Sequence, residues 1–252
     1  MTRSIARLGR AFGLSALLPP YGATVAYRRV SGRARLVEFL GPPAVGKSTL
    51  LREIARRGGF GGVQPEALAY TDVPLDPVEV RLIESYVVGR LRPYERMDWR
   101  ALEGSMRYLD RQIGYLKQDV RLRRLGGEIL LDETGIFRKF RMQILELAEQ
   151  GQPEHMAFLS GLLRDRLLVC LVAEPKAVYA RAKERMKSSR SHRTRHGHRP
   201  QEEFEAAIAA NLAGQQRYVA ALSQVPEARF LRLDGTRPVG ELADEVLDAL
   251  DR

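Results

Sequence analysis

The run Gly41-Pro42-Pro43-Ala44-Val45-Gly46-Lys47-Ser48-Thr49 constrains this chain more than any other stretch. It fits G-x-x-x-x-G-K-S/T and has the right neighbours on both sides. Upstream, Arg35-Leu36-Val37-Glu38-Phe39-Leu40 is a short apolar run of strand type. Downstream, Leu50-Leu51-Arg52-Glu53-Ile54-Ala55 has helical spacing and stops at Gly58-Gly59. Strand, glycine-bounded loop and helix, in that order, aim successive backbone N–H groups and a helix N-terminus at one anion. Glycine at 41 and 46 lets the backbone close around a phosphate with no Cβ in the way. Lys47 is expected to reach the β- and γ-phosphates of a bound triphosphate, and the Ser48 hydroxyl to hold Mg²⁺. Ala44, Val45 and Thr49 complete the expected nucleotide-binding loop. The implied ligand is a nucleoside triphosphate, with ATP and Mg²⁺ as the expected pair.

Apolar runs alternate with helical patterns along the rest of the chain, the signature of βαβ units and a parallel sheet. Phe60–Gln64 offers a weak second strand. Helices dominate from Pro77 to Leu125, with one stripe at Val80, Leu82, Ile83, Tyr86, Val87 and Leu91 and another at Leu102, Met106, Leu109, Ile113 and Leu116. Glu128-Ile129-Leu130-Leu131-Asp132-Glu133 reads as a strand ending in two acids, and Phe137–Ala148 as one helix. Met156–Leu163 is a short helix before the strand Leu167–Val172. Helices follow at Ala177–Met186 and Glu202–Leu222, then a last strand at Ala228–Asp234 and a helix at Glu241–Leu250. The expected fold is three-layered α/β/α around a mostly parallel five-stranded sheet. A basic N-terminal segment, 1–34, is expected to precede a domain spanning 35–252.

Composition excludes several classes. At 252 residues with 44% hydrophobic and 29% charged residues, the chain suits one soluble globular domain. A single cysteine, Cys170, builds neither a disulfide framework nor a metal cluster, which suits a reducing cytoplasm. The net charge of +10 invites a nucleic-acid reading. The charge, however, concentrates in Arg181–Arg199 and Met1–Arg35, without the interleaved aromatics of a single-strand platform. Nucleic acid is therefore not the expected main partner. No run approaches the ~20 apolar residues that span a bilayer. Ile5, Leu8 and Phe12 share one helical face among arginines, so peripheral contact with the inner face of the membrane is an alternative to docking on the domain.

Two further segments carry chemistry. Asp132, at the carboxyl end of a buried-type strand, lies where ligands of open parallel sheets bind. A carboxylate there organises Mg²⁺ or accepts a proton from an attacking hydroxyl. Asp132 is favoured over its neighbour Glu133 for that task. Arg181 and Arg185, four apart on a helix, present guanidinium forks suited to bridging phosphates. The polar, cationic tract after them, to about residue 200, suits a lid that orders over nucleotide. His192, His196 and His198 have no acid or thiol spaced with them and are not expected to hold a metal.

With these pieces in order, the chain resembles P-loop kinases of the nucleoside and nucleotide group, thymidylate kinase-like in layout. The matching pieces are the Gly41–Thr49 loop, the acid-ended strand at Asp132, Glu174–Arg181 leading into the basic lid, and Leu233-Asp234-Gly235-Thr236-Arg237-Pro238 before the last helix. The resemblance implies Asp132 as base or metal organiser, Arg181 and Arg185 as phosphate clamps, and Asp234, Gly235 and Thr236 near the adenine. Two departures stand out. Asp132 is followed by Glu133 where such kinases commonly carry arginine, and the acceptor region, about 64–125, matches no known pattern.

The expected activity is transfer of the γ-phosphoryl group of ATP to a small-molecule acceptor, such as a nucleoside, nucleotide or sugar. The alternative is a P-loop ATPase with a regulatory or nucleic-acid-linked role. A GTPase of the usual kind is not expected, since Asn211, the only asparagine, precedes leucine rather than completing N-K-x-D. Arginines 96, 100, 107, 111 and 138 suit either an anionic acceptor or a solvated helical face. The sequence carries no signal of oligomeric state.

Overall fold

The strand that feeds the phosphate loop lies inside the sheet, and its composition explains why. In the computed structural model, which describes residues 25–31, 35–62, 80–84, 99–131, 135–188 and 199–251, strand β2 (Arg35–Leu40) is buried from Leu36 onward. Strands covered by helices on both faces read as continuous apolar runs rather than alternating ones. Strand β5 (Arg166–Val172) follows the same rule and pairs with β2 in parallel, Phe39 opposite Val169. On the other side of β2 runs strand β4 (Glu128–Leu131), also parallel, with Glu38 opposite Leu131. Strand β6 (Arg229–Asp234) completes the parallel block beyond β5. It is an edge strand, and its exposed Arg229 and Arg232 discourage pairing with another chain.

The sheet is mostly parallel, as expected, but among the described residues it has six strands rather than five, in the order β3 (Gly61–Gly62), β1 (Val25–Arg28), β4, β2, β5, β6. The addition is strand β1 (Val25–Arg28), antiparallel to β4 and lying ahead of the domain start placed at residue 35. Its anchor is electrostatic. The Glu128 carboxylate, fully buried, pairs with Arg28 of β1 and Arg35 of β2. Arg28 also donates to the Gly58 carbonyl at 3.0 Å and lies over the Phe60 ring, 4.8 Å from its centroid. Strand β3 is only Gly61–Gly62, held by β1, so the weak strand expected at Phe60–Gln64 exists because a partner supplies its ladder.

Helices α1 (Lys47–Arg57), α6 (Pro175–Ser188) and α8 (Val239–Asp251) cover one face of the sheet. There Val37, Phe39 and Val169 pack against Leu50, Leu51 and Ile54 of α1 and Ala243 and Val246 of α8. Each such side chain contributes about 1.5–3 kcal/mol by leaving water. The other face is covered by α2 (Trp99–Leu125), α3 (Ile136–Lys139), α4 (Arg141–Gln150) and α5 (Pro153–Leu163), with Leu168 and Cys170 against Phe137, Phe140 and Ile144. Helix α7 (Gln201–Leu222) contributes to both, through Phe204 and Ile208 on the first face and Tyr218 and Leu222 on the second.

The single helix expected over Phe137–Ala148 is two helices, divided at Phe140, whose φ of −106° departs from helical geometry. Cys170 is buried, and burial pushes its thiol up to about 11, so it stays a neutral packing group. Residues 80–84 are helical, and Leu82 is fully buried. The remainder of that stripe, the N-terminal segment 1–24 with Ile5, Leu8 and Phe12, and the lid residues 189–198 with their three histidines lie outside the described residues. Among the described residues no helix is long and apolar enough to cross a membrane.

Candidate functional site

Between β2 and α1 the backbone makes a close turn that only particular residues permit. Gly41 has φ +143°, and a Cβ there would lie 2.7 Å from the Leu171 carbonyl of β5. Gly46 caps α1 in a left-handed conformation, φ +117°. Ala44 adopts φ +65° despite its Cβ, a strained state of the kind that persists where surrounding structure enforces it. Thr49 and Leu50 donate backbone N–H groups to the Gly46 carbonyl at 3.0 and 2.9 Å, which starts the helix. Helix geometry leaves the earlier N–H groups of the first turn without an intrahelical acceptor, and the helix dipole adds partial positive charge at the same point.

Lys47 is the decisive side chain. It is 6% exposed, and its Nζ donates to the carbonyls of Gly41 and Pro42, each at 2.9 Å. The loop thus folds around its own ammonium group. A buried cation is tolerated only where oxygens meet it, and an arriving phosphate offers stronger acceptors than two carbonyls do. Ser48, next in the chain, is half-buried in the first turn of α1.

Two other segments close on the loop. From α6, Arg181 donates through Nη1 to the Val45 carbonyl at 3.1 Å. From the β6–α8 turn, Gly235 approaches so closely that a Cβ would sit 3.1 Å from the same carbonyl, and its N–H donates to the Val172 carbonyl at 2.7 Å. Asp234 shapes that turn. Its Oδ1 accepts from the Thr236 N–H at 2.9 Å and the Thr236 hydroxyl at 2.7 Å, and these bonds hold its carboxyl below the usual range.

Together these elements line a groove of about 400 Å³, within the size range of small-molecule sites. The sequence-derived residues Ala44, Val45, Gly46 and Thr49 form its loop side, with Arg181, Arg185 and Gly235 around them. Gly41, Lys47 and Ser48 do not line it, and neither do Asp234 and Thr236, which hold the turn that presents Gly235. The sequence reading missed the groove's apolar lining, Leu171, Val239 and Leu242, and the charges of Glu184 and Arg237. Glu184 pairs with Lys187, and Arg237 with Glu241 and Glu245. The available signal was positional: Val239 and Leu242 are the first apolar residues after the Asp234–Pro238 turn, and Glu184 lies within the Arg181–Arg185 helical turn.

Asp132 and Glu133 lie outside the described residues, directly after Leu131, the last residue of β4. Of the five arginines considered for an anionic acceptor, Arg138 falls among the described side chains and is half-buried. Among the described residues no group of three or more His, Cys, Asp or Glu side chains is arranged to hold a metal ion.

Central parallel strand, glycine-bounded loop and covering helices define a three-layer α/β fold of the P-loop NTPase kind. No family model matches the chain, and no curated protein matches it. Among solved structures it is similar to a deoxyadenosine kinase from M. mycoides with bound dATP, at 16% sequence identity and a TM-score of 0.41, over 86% of this chain and 100% of that one.

Proposed function

We propose that this chain is an ATP-dependent phosphotransferase that moves the γ-phosphoryl group to a small-molecule acceptor of nucleoside, nucleotide or sugar type. The observation that carries the reading is the Lys47 ammonium, held on the Gly41 and Pro42 carbonyls inside a loop whose neighbours are Arg181, Arg185 and Gly235. A phosphate entering the loop meets an ammonium, a helix N-terminus and two guanidinium groups, the electrostatic set that phosphoryl transfer demands.

The roles are those the motifs imply. Gly41 and Ala44 to Thr49 cradle the phosphates and Lys47 neutralises the transferring group, while Arg181 and Arg185, which line the groove, clamp it from α6. Gly235, in the turn held by Asp234 and Thr236, borders the base. Asp132 serves as base or metal organiser, with Glu133 second. Mg²⁺ fits the donor set, a Ser48 hydroxyl and the Asp132 carboxylate, since hard divalent cations take oxygen ligands. Its contribution when bound is charge neutralisation on the phosphates. The acceptor region is assigned to about 64–125, the lid to about 181–200, and the site of action to the cytoplasm, where ATP is abundant. Peripheral membrane contact through the N-terminal segment is part of the same reading.

Calorimetric titration with ATP and Mg²⁺ tests it. Saturable binding by the wild type, absent in folded Lys47→Ala protein, is expected. A wild type that binds no nucleotide, or a Lys47→Ala variant that binds equally well, contradicts the loop assignment.

A further inference from the structure

A carboxylate in the middle of a buried strand needs an explanation, because burying a charge costs several kcal/mol unless its partners compensate. Glu38 lies in β2, three residues before Gly41, and is 0% exposed. Its Oε2 accepts from Arg166 Nη1 at 2.9 Å, and Arg166 in turn donates to Asp119 of α2 at 2.7 Å and to the Leu162 carbonyl at 3.2 Å. Its Oε1 accepts the backbone N–H of Arg138 at 2.7 Å, in the first turn of α3. The Arg166 guanidinium also lies over the Phe137 ring, 5.1 Å from its centroid, and the Tyr218 hydroxyl donates to the Phe137 carbonyl at 3.0 Å.

Gly135 completes the arrangement. A Cβ built there would fall 1.9 Å from the Glu38 Cδ and 2.2 Å from its Oε1. The backbone at 135 therefore rests directly on the carboxylate, and no side chain fits between them. Leu131, opposite Glu38 in the sheet, and Gly135 are the two ends from which residues 132–134 are strung. One end of the segment bearing Asp132 and Glu133 is thus set by the β2–β4 ladder at residue 38 and the other by the Glu38 carboxylate, on the strand that leads into the phosphate loop.

We propose that Glu38 is a positioning residue for phosphoryl transfer: by holding Gly135 and the start of α3 against β2, it fixes the Asp132–Glu133 segment relative to the phosphate loop. This rests on the phosphotransferase reading above. Glu38 touches neither nucleotide nor acceptor; it acts through the chain it clamps. Misplacing a catalytic group by about 1 Å can cost on the order of 10²-fold in rate, so loss of the clamp should appear in turnover rather than in ATP affinity.

Three variants and a control test it, each measured for acceptor-dependent ADP formation per folded molecule and for affinity towards a non-hydrolysable ATP analogue. Glu38→Met keeps the volume and removes both acceptors; kcat should fall about tenfold or more while analogue affinity stays within about threefold. Glu38→Gln retains an oxygen for the Arg138 N–H and should recover most of that turnover. Gly135→Ala leaves every charge in place, pushes the segment off Glu38 and should lower kcat in the same way, which decides the matter if Glu38→Met does not fold. As control, Glu128→Gln removes a carboxylate that is equally buried and also paired with two arginines, away from this segment; it should lower the melting temperature and leave turnover per folded molecule unchanged. Wild-type turnover in both Glu38→Met and Gly135→Ala overturns the inference and leaves the phosphotransferase reading standing. So does an affinity loss that accounts for the whole effect. A wild type without ATP binding or turnover overturns both.

Discussion

The two faces of the central sheet differ in how they are held together. The face covered by α1, α6 and α8 is apolar at its centre, from Val37 and Phe39 to Ile54 and Val246, and it carries the phosphate loop at its rim. Its buried carboxylate, Glu128, pairs with Arg28 and Arg35 at the opposite end of the strands from that loop. The face covered by α2 to α5 has an apolar bulk of Leu168, Phe140 and Ile144, but a charged line through Glu38, Arg166, Asp119 and Arg123 crosses it. Hydrophobic packing tolerates small shifts; a buried carboxylate that must meet one guanidinium and one backbone N–H does not. The first face carries the loop proposed to cradle a nucleotide, a close turn around an ammonium. The second holds Gly135 and the start of α3, next in the chain to the residues proposed to supply the working acid.

The largest expected effect falls on the apolar face. Lys47→Ala should abolish ADP formation, because Lys47 supplies charge to the phosphates; it also strips the Gly41 and Pro42 carbonyls of their donor, so the melting temperature should fall modestly in a protein that stays folded. Retained turnover breaks the assignment. Next comes Asp132→Asn, expected to lower turnover by a factor on the order of 10²–10⁴ while nucleotide binding persists, with Glu133→Gln doing less. If the two acids come out reversed in stopped-flow or steady-state rates, Glu133 is the working carboxylate.

A smaller effect should separate a phosphate clamp from a basic patch. Arg185→Lys keeps the charge and loses the planar fork, so turnover should drop by about tenfold with apo stability unchanged. ATP should also protect the Arg190–Pro200 segment from trypsin. Equal activity, together with digestion indifferent to nucleotide, removes the lid from the reading.

The smallest effect sharpens the contrast between the faces. Burial pushes the Glu38 carboxyl up from 4.5 to about 7, against the opposing pull of Arg166 and the α3 amides, with Asp119 adding to the rise. The native state then holds that proton more tightly than the unfolded chain does. Its stabilising contribution is full below about pH 4.5 and is lost as pH rises through about 7. The difference in urea-unfolding free energy between wild type and Glu38→Gln should therefore decline across that window, by at most about 1.4 kcal/mol per pH unit. A flat or rising difference shows that Arg166 outweighs desolvation.

The same contrast explains what the sequence made legible. Glycine spacing, flanking apolar runs and the Asp234-Gly235-Thr236 turn are local signals, and from them Ala44, Val45, Gly46, Thr49 and Gly235 meet around one groove. Helix termini moved by a few residues, as expected where capping rather than periodicity decides. Strand β1 was hidden because Val25–Arg28 sits in an arginine-rich segment and acquires its strand character from Glu128, a residue 100 positions away. The two glycines of β3 have no strand preference of their own. Glu38 and Asp119 were passed over because each sits in a run that reads correctly as strand or helix without them. A single charged residue inside a buried apolar run was the available signal, and its partner, Arg166, lies at the start of the neighbouring strand.

Transfer of the γ-phosphate itself is the most direct measurement. With γ-labelled ATP and Mg²⁺, the wild type should place label on at least one member of a panel of nucleosides, nucleotides and sugars, in a manner dependent on that acceptor and lost in Lys47→Ala. Label confined to inorganic phosphate, at a rate no acceptor alters, would contradict phosphoryl transfer and leave a P-loop ATPase in its place.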